Sequence, residues 1–360
     1  MKIDDKTSHN SPSLRFPEFT GEWEYFSIND VCSEFKSGKN IKADLISSNG
    51  NFPVYGGNGL RGYTSSYNHD GLYVLIGRQG ALCGNVRSVF GKIYITEHAI
   101  AVAGNEKSDT NFLHYLFLKM NLGQYSDQSA QPGLAVNKLL KLKVLLPSIS
   151  EQIKIAKLLS LLDERIAVQS RLIDRLQSLM KGIRHRIINE AKGKIVCLCE
   201  VSDIYQPQTI SSADLTETGY PVYGANGIIG HYTSYNHEAE QVCITCRGNT
   251  CGGVNYTKSK SWITGNAMVV NVDRYQNIVS KRYIYHYLSN CDFNSIISGS
   301  SQPQIVRAPL AKFKIILPTV MQQYKIAHCL DVIQNKINVN SNILNLLIRQ
   351  KQYLLRKMFI

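Results

Sequence analysis

Two long segments of the chain carry apolar residues at alternating spacings of four and three. In the first segment the series is Ile155, Leu159, Leu162, Ile166, Gln169, Ile173, Leu176, Met180, Ile183 and Ile187. The spacing returns 171 positions later, at Ile326, Leu330, Ile333, Ile337, Asn340, Leu344, Leu347, Lys351, Leu354 and Met358. This period is typical of a coiled-coil seam. It predicts two long helices, the first running from about residue 152 to residue 189 and spanning roughly 57 Å at 1.5 Å per residue.

Polar residues interrupt the seam at one equivalent position of each helix, Gln169 and Asn340, and Lys351 interrupts the second helix again near its frayed end. A polar seam residue lowers stability but disfavours shifted registers, in which its amide would be buried without a hydrogen bond. If the helices pack antiparallel with full overlap, Gln169 and Asn340 meet at the centre, and we predict that they pair. The alternative is two exposed amides on helices that pack separately.

The segments that precede the helices have the composition of strands and turns, and they repeat. Runs such as YVLIG and KIYITEHAIAVA are rich in Tyr, Gly, Val, Ile and Thr. Residues 52–69, FPVYGGNGLRGYTSSYNH, return as YPVYGANGIIGHYTSYNH at residues 220–237, an offset of 168. The predicted class is α+β, with two strand-rich domains in a pseudo-two-fold arrangement, joined by two long antiparallel coiled-coil helices. The predicted boundaries are 1–148 for the first domain, 149–192 for the first helix, 193–319 for the second domain and 320–360 for the second helix.

The first copy of the repeat contains GNGLRG at residues 57–62, which fits the G-x-G-x-x-G pattern of a dinucleotide-binding loop. In the second copy Ala225 replaces the first glycine. Neither copy is followed by a clear helix with an acidic residue on a second strand about 20 residues further on, as a dinucleotide site requires. We therefore interpret both segments as tight glycine turns without a cofactor.

The charge of the chain indicates a polyanionic partner. Its 360 residues include 40 Lys and Arg against 27 Asp and Glu, a net charge of +13, and the pI is near 9.2. Nucleic acid is favoured over an acidic membrane surface, because no amphipathic basic terminal segment is evident. No apolar run approaches the roughly 20 residues that span a bilayer, and the start lacks the order of a signal peptide. We expect a cytoplasmic protein with mostly reduced cysteines.

Metal binding and catalysis have weaker support. Cys243, Cys246 and Cys251 lie near His237 and suggest zinc, but their spacing lacks a second clean pair, and the first half has a single cysteine in that neighbourhood. His69 and His237 follow asparagine in both copies, without a nucleophile motif beside them. No P-loop and no Pro-Pro catalytic tetrapeptide for adenine methylation is present. The sequence therefore predicts no metal ion and no catalytic residue in this chain.

Hydrogen-bonding and cationic side chains gather at the repeated turns and are the candidate DNA contacts. Base recognition needs such groups on a groove-facing surface, and affinity needs cations at phosphates. In the first domain the candidates are Arg61, Tyr63, Thr64, Ser65, Arg78 and Gln79. In the second domain they are His231, Tyr232, Thr233, Ser234, Arg247 and Asn249. For each of them the alternative is a side chain that only satisfies the backbone of a turn.

Differences between the copies predict which of these residues discriminate between bases. Aligning IGRQG with TCRGN pairs Arg78 with Arg247 and Gln79 with Gly248. Arg61, which the second copy lacks, and Gln79 are the expected readers, because arginine suits guanine and glutamine suits adenine. Arg78 and Arg247 are expected to contact phosphates; the alternative is an internal ion pair with a carboxylate.

Taken together, these motifs resemble the specificity subunits of type I restriction-modification systems. The resemblance rests on LRFPEFTGEWEYFSINDV, the paired PVYGGNG and PVYGANG loops, IGRQG, and LPSISEQIKIAKLLSLLDERI with its second copy. It covers essentially the whole chain. The second copy departs from it where TCRGN replaces IGRQG and where Val320-Met321-Gln322 replaces Ile149-Ser150-Glu151.

The resemblance implies a non-catalytic subunit that works with other proteins. Its two target-recognition domains would each read one half of a split sequence in double-stranded DNA, and its helices would set their separation and dock two modification subunits. Cofactors would reside on the partners: S-adenosylmethionine on the modification subunits, and ATP and Mg²⁺ in the full complex with the restriction and translocase subunits. The alternative is a coiled-coil scaffold that joins proteins without specific DNA recognition.

Overall fold

The computed structural model describes residues 10–127, 132–225, 227–299 and 301–360. These residues form two compact units. The first extends to Gln169 and also contains Ile343–Ile360, while the second comprises Ser170–Asn342. Each unit holds one strand-rich region and a part of both long helices. In the described parts of the chain, no helix combines the length and the apolarity that crossing a membrane requires.

The elements of the first unit begin with a short strand and end in a long helix. In chain order they are β1 (Glu24–Ser27), α1 (Ile28–Val31), β2 (Cys32–Ser37), β3 (Phe52–Gly56), β4 (Gly59–Thr64), β5 (His69–Gly77), β6 (Val86–Ile95), β7 (Ala99–Gly104), α2 (Thr110–Met120), α3 (Val136–Leu140), β8 (Lys143–Leu146) and α4 (Ile149–Glu190).

The main sheet of the first unit has the strand order β2-β7-β5-β6-β3-β4. Its pairs are antiparallel except for β3 with β6. Val74, Ile76 and Ile100 on β5 and β7 are buried in one core with Phe112 of α2. Helix α2 begins where the carboxylate of Asp109 accepts a hydrogen bond from the Phe112 amide at 2.8 Å, a typical N-cap. The β3–β4 hairpin is left at the edge of the sheet.

The second unit repeats this plan with shorter strands. In chain order its elements are β9 (Lys194–Cys197), β10 (Asp203–Tyr205), β11 (Tyr220–Gly224), β12 (Gly227–Tyr232), β13 (Val242–Thr245), β14 (Val254–Tyr256), β15 (Trp262–Ile263), β16 (Ala267–Asn271), α5 (Lys281–Leu288), β17 (Ile297–Ser298), β18 (Gln304–Ile305), α6 (Arg307–Ala311), β19 (Lys314–Leu317) and α7 (Val320–Lys357).

The large sheet of the first unit corresponds to two sheets in the second, with the orders β10-β16-β13-β14 and β12-β11-β15. The cause is the counterpart of β6. That strand runs unbroken for 10 residues in the first unit, whereas β14 and β15 share its role in the second and are separated by residues 257–261. The parallel pairing of β3 with β6 is retained as β11 with β15. The hairpin therefore keeps its place although the sheet is divided.

Residues near the start of α4 and near the end of α7 pack together in the first unit. Ile155 shares a core with Met358. Further along α4, the Asp163 carboxylate lies 2.5 Å from the Lys351 ammonium and accepts a hydrogen bond from the Tyr115 hydroxyl at 2.9 Å. These pairs show that the two segments run antiparallel. Lys351, which interrupts the apolar seam near the end of α7, is thus held by an ion pair, and the helix continues beyond it for more than one further turn.

The seam in the second unit is also apolar. Met180 of α4 is buried in one cluster with Leu330 and Ile337 of α7. At the end of α4 the expected seam residue Ile187 is only half-buried. Its neighbour Ile188 is instead packed into the core of this unit, so the heptad register does not hold to the last turn.

The two interrupting amides belong to different units. Gln169 is the last α4 residue of the first unit, and Asn340 lies in the second. The amide nitrogen of Asn340 donates to the carbonyl oxygen of Lys336, one turn earlier in its own helix, at 2.7 Å. The pairing of Gln169 with Asn340 stays a prediction.

A buried glutamine ties each long helix to the strand-rich region beside it. The side chain of Gln152 is fully buried. Its amide nitrogen donates to the carbonyl oxygens of Lys107 and Pro147, each at 2.9 Å, and its amide oxygen accepts from the backbone nitrogen of Asp109 at 2.9 Å. Because Asp109 caps helix α2, this one side chain joins the start of α4 to the start of α2.

Gln323 makes the same connection in the second unit and is also fully buried. Its amide nitrogen donates to the carbonyl oxygens of Ile278 (3.0 Å) and Pro318 (2.9 Å), and its amide oxygen accepts from the Ser280 amide at 2.8 Å. Ser280 caps α5 as Asp109 caps α2. We refer to Gln152 and Gln323 with these partners as the glutamine clamps.

The residue before each clamp explains one difference between the copies. Glu151 is buried, and each of its two carboxylate oxygens accepts a hydrogen bond from the Arg15 guanidinium at 2.7 Å. Its counterpart Gln322 accepts from the hydroxyl of Thr319, and its backbone nitrogen donates to the same hydroxyl in return. The first helix start is therefore held by the N-terminal segment, and the second is closed by its own cap.

Replacing Gln152 by leucine is expected to lower the free energy of unfolding by about 3 kcal/mol, because three backbone groups lose their hydrogen bonds to its fully buried amide. Denaturant titration with linear extrapolation measures the change. Gln177→Leu is the matched control, since Gln177 is exposed on the same helix and should shift stability by less than about 0.5 kcal/mol. Equal effects of the two substitutions would contradict the clamp.

Candidate nucleic-acid interface

The repeated glycine segment folds as a β-hairpin with one extra residue. In the first unit Gly56 pairs with Gly59 across the turn, and Val54 pairs with Gly62, which leaves Arg61 as the bulged residue of β4. Gly59 adopts a φ of 103°, a conformation that favours glycine. A strand–turn–strand does not supply the helix N-terminus on which a dinucleotide pyrophosphate sits. The glycines instead allow the backbone conformation that the hairpin turn requires.

The hairpin of the second unit is bulged at the equivalent residue. Strands β11 and β12 pair with the same shift, so that Ile229 is the extra residue; Asn226 in its turn lies outside the described residues. A Cβ added to Gly56 would lie 2.8 Å from Cδ of Arg61, and one added to Gly224 would lie 2.9 Å from Cδ1 of Ile229. In both units the bulged side chain therefore lies over a glycine of the facing strand.

The loop that follows β5 has the same backbone as the loop that follows β13, and it corrects the alignment of IGRQG with TCRGN. Gly80 and Gly248 share a left-handed φ, 85° and 84°. Gln79 forms a bridge with Gly133, and Arg247 forms the corresponding bridge with Gln304. The equivalent of Gln79 is thus Arg247, at the constant offset of 168.

The pairing of Arg78 with Arg247 is accordingly wrong by one residue, as is that of Gln79 with Gly248. The backbone nitrogens of Arg78 and Cys246 make the same bond, to the carbonyl oxygens of His98 (2.9 Å) and Asn266 (3.0 Å). Aligning the two arginines placed Gly248 opposite Gln79, although its left-handed backbone makes it the counterpart of Gly80.

A small cleft lies where this loop meets the hairpin turn in the first unit. It has a volume of about 190 Å³ and is lined by Gly57, Asn58, Arg61, Gln79 and His98. The Nδ1 atom of His98 lies 2.9 Å from Oε1 of Gln79, and its Nε2 atom lies 3.1 Å from a carboxylate oxygen of Glu97. Two predicted readers, Arg61 and Gln79, therefore meet in one cleft, together with a histidine that was not predicted.

The second unit has a cleft at the equivalent position. Its volume is about 430 Å³, and its lining residues are Ala225, Arg247, Gly248, Asn266, Gln302, Pro303 and Gln304. Ala225 takes the place of Gly57, and Asn266 that of His98. We call the two sites the first cleft and the second cleft.

One more position beside the hairpin turn differs between the units. A Cβ on Gly59 would lie 2.9 Å from the Arg87 guanidinium, and a Cβ on Gly227 would lie 3.7 Å from the side-chain oxygen of Asn255. Arg87 is exposed, which places a cation next to the turn of the first hairpin, where the second hairpin has the neutral Asn255.

The match to a known family covers both units. The profile described as type I restriction modification DNA specificity domain matches twice, over residues 20–178 and 191–349. The chain belongs to this family. It consists of two consecutive specificity domains.

Relatives at the level of sequence are specificity subunits. The chain is 45% identical to the type I restriction enzyme EcoprrI specificity subunit of Escherichia coli over 154 residues, which span 42% of this chain and 38% of that protein. It is 23% identical over 361 residues to a putative type I restriction enzyme specificity subunit of Haemophilus influenzae, covering 92% of each.

The fold is that of a solved specificity subunit. The crystal structure of the type I restriction-modification system S subunit from M. genitalium superimposes with a TM-score of 0.76 at 18% identity, over 97% of this chain and 99% of that one. A structure concerned with complex assembly and conformational transition of the type I restriction-modification system gives a TM-score of 0.54 at 16% identity, over 95% and 98%.

The remaining predicted contacts in the first specificity domain do not line the cleft. Tyr63, Thr64 and Ser65 are at the opposite end of β4 from the turn. The side chain of Thr64 is buried, at 5% exposure, so it is not available to a base edge. Tyr63 is half-buried and Ser65 is exposed. Arg78 is half-buried with its guanidinium near the backbone carbonyl of Glu97, at 3.5 Å.

The second specificity domain shows the same separation. His231 and Tyr232 are half-buried at the far end of β12, and Tyr232 packs edge-on against the Trp262 ring with centroids 5.2 Å apart. Thr233 and Ser234 are exposed beyond the strand. Asn249, exposed in the loop after β13, is equivalent to Ala81. Of the predicted contacts in this domain, Arg247 is the one that lines the cleft.

The repeated Asn-His pairs hold the loops in place. The amide of Asn68 bonds both the backbone nitrogen (2.8 Å) and the carbonyl oxygen (2.9 Å) of Ile95, and Asn236 does the same to Ile263 at 2.9 and 3.0 Å. Each asparagine also contacts Nδ1 of its histidine at 2.6 Å. These pairs connect each hairpin to the strand that leads to its cleft.

Both histidines use their second nitrogen inside the domain. Nε2 of His69 contacts Glu34 at 2.9 Å, and Nε2 of His237 contacts the Tyr205 hydroxyl at 2.9 Å. Burial lowers the pKa of His237, which favours the neutral ring in this bond. The two side chains are structural.

The cysteines considered for zinc do not converge. Cys243 and Cys246 are buried in separate hydrophobic clusters, and burial raises the pKa of Cys243 to about 12, which opposes the thiolate that zinc binds. Among the described residues, no three His, Cys, Asp or Glu side chains gather where a metal ion could bind.

His98, Arg87, Asn255 and Asn266 complete the set that sequence reasoning missed. A signal was present: ITEHA at residues 95–99 returns as ITGNA at residues 263–267. The apolar positions of this segment are retained, while the residue before the alanine changes from histidine to asparagine. Comparing the copies at one constant offset would have exposed it.

Proposed function

We propose that this chain is the DNA-specificity subunit of a type I restriction-modification complex, in which each domain reads one half of a bipartite target and the long helices set the spacing. The chain itself has no catalytic role in this proposal. The observation that carries it is the cleft, which recurs on the same backbone in both units with different side chains. Recognition of two different half-sites requires the same backbone to carry different contact residues in its two copies.

The charges at the clefts fit a DNA ligand. Arg61 and Arg87 are exposed at the first cleft and its hairpin turn, and Arg247 is exposed at the second. Exposed arginines beside glycine turns can reach phosphates or guanine edges. The net charge of +13 adds a general attraction to the duplex.

The long helices carry a second row of apolar residues that the seam does not use. On α4 the row consists of Leu161, Val168, Leu172 and Leu179, which are 39 to 56% exposed. On α7 it consists of Val332, Val339, Ile343, Leu346 and Tyr353, which are 39 to 62% exposed. Exposed apolar rows of this length mark surfaces that bind other proteins.

The two rows coincide under the repeat. Leu161, Val168 and Leu172 correspond, at the offset of 171, to Val332, Val339 and Ile343. The corresponding residues are exposed to nearly the same extent, 47 and 54%, 56 and 57%, and 39 and 39%. Two equivalent surfaces suit two copies of one partner, which we assign as the modification subunits.

Catalysis then belongs to the partners. S-adenosylmethionine is assigned to the modification subunits, and ATP and Mg²⁺ to the restriction and translocase subunits of the full complex. The competing function is a coiled-coil scaffold whose charge is incidental. The clefts favour DNA recognition. A scaffold that only joins proteins would not require one repeated backbone to present different hydrogen-bonding groups in its two copies.

Arg87→Ala is expected to weaken the binding of target and random DNA alike, because a cation beside the turn is placed to meet a phosphate. The slope of log K against log salt should become less steep by about one. Gel-shift titrations of the chain assembled with its modification subunits, at several salt concentrations, measure both quantities. Lys119→Ala removes a cation from the end of α2 and is the control. If it has the same effect, the change reflects net charge and not the site.

Leu161→Lys with Val168→Lys is expected to reduce the number of bound modification subunits from two to one. Val332→Lys with Val339→Lys should do the same, and all four changes together should leave none, because buried lysines oppose docking. Native mass spectrometry counts the subunits. Ala167→Lys, on an adjacent exposed position of α4, should leave two. A count of two in all variants would show that the rows do not form the docking surfaces.

A further inference from the structure

Among the described residues, four equivalent positions in or beside the two clefts exchange one side chain for another of different chemistry. In the order first unit and second unit, these are Arg61 and Ile229, Gln79 and Arg247, Arg87 and Asn255, and His98 and Asn266. The backbone that presents them is the same, with the same bulge, the same left-handed glycine in the loop and the same Asn-His support. Such a contrast between copies indicates positions that select the ligand and not the fold.

At the first cleft, Gln79 is an exposed amide with a defined orientation. His98 lies between it and Glu97, with Nδ1 2.9 Å from the amide oxygen of Gln79 and Nε2 3.1 Å from the carboxylate. When the proton of His98 is on Nδ1, the contact uses one of the two lone pairs of that amide oxygen. The second lone pair and the amide nitrogen can then accept from N6 and donate to N7 of one adenine, the bidentate pairing that glutamine makes in the major groove.

At the second cleft, Arg247 takes the place of this glutamine. It is exposed, and its backbone is fixed by the bridge to Gln304. The residue opposite is the neutral Asn266 in place of the histidine. A guanidinium has donors and no acceptor, and its planar fork matches O6 and N7 of guanine.

We propose that residue 79 and residue 247 are the equivalent purine readers of the two half-sites, with Gln79 selecting adenine and Arg247 selecting guanine. His98 is a positioning residue for Gln79. The proposal rests on the proposed function and adds to it the base class at one corresponding position of each half-site. It also states that the half-sites differ at that position.

The test exchanges the readers. The double variant Gln79→Arg, His98→Asn gives the first cleft the residues of the second, and Arg247→Gln, Asn266→His does the reverse. Each variant is assembled with the modification subunits, and DNA is selected by binding from a pool in which every base of the wild-type target is randomised in turn. The first variant should change the preference at one position of one half-site from adenine to guanine by about tenfold or more. The reciprocal variant should change the other half-site in the opposite sense.

Two controls separate the possible outcomes. Gln124→Arg adds the same charge at an exposed residue of the first unit and should leave every preference unchanged. His98→Asn alone should reduce the adenine preference without creating one for guanine, which a merely structural role of His98 would not do. Unchanged base preference in both double variants, or a uniform loss of binding on all sequences, would overturn the assignment. A wild-type complex that selects no bipartite sequence would instead defeat the proposed function itself.

Discussion

The connection of each specificity domain to the long helix beside it depends on one fully buried side-chain amide. Gln152 and Gln323 each satisfy two carbonyl oxygens and one backbone nitrogen at a junction where a helix, a proline-ended strand and the cap of a second helix meet. A buried amide with all its partners in place resists tilting, because any movement leaves a backbone group without a hydrogen bond. The clamp therefore gives the cleft of each unit a fixed orientation relative to the helix segment beside it. The proposed recognition of two half-sites at a set spacing requires such rigidity.

Within each unit, the structure separates what must stay the same from what is free to change. Turn glycines with left-handed backbone, the asparagines that bond Ile95 and Ile263, and the clamps recur at constant offsets, since each meets a demand of the backbone that few residues satisfy. The cleft residues project from this frame into solvent and carry no such demand. Substitution there alters the hydrogen-bonding groups offered to a ligand at little expense in stability. Two specificities can thus be built on one duplicated fold.

Much of the architecture could be predicted from the sequence, because heptad spacing and an internal repeat are direct consequences of packing. The α+β class, the two long helices and the tight glycine turns follow from them. The site was harder. Arg61 and Gln79 were found since they differ between copies. His98 lies in the turn after β6 and Arg87 lies near the start of β6, so tertiary packing brings them to the cleft and to the hairpin turn. The alignment of Arg78 with Arg247 is wrong because the left-handed backbone of Gly80 and Gly248, which favours glycine, makes those two residues equivalent. The burial of Thr64 and the role of Gln152 depend on tertiary packing that no local pattern states.

The most direct test of fixed spacing is to map methylated sequences in a host that carries the complete system, with wild-type chain and with a variant in which one heptad is inserted in each long helix, next to Gln169 and next to Asn340. Seven residues add about 10 Å of helix, which corresponds to about three base pairs. The account predicts that both half-sites keep their sequences while the gap between them grows by about that number. An unchanged gap, or a variable one in the wild type, would contradict it.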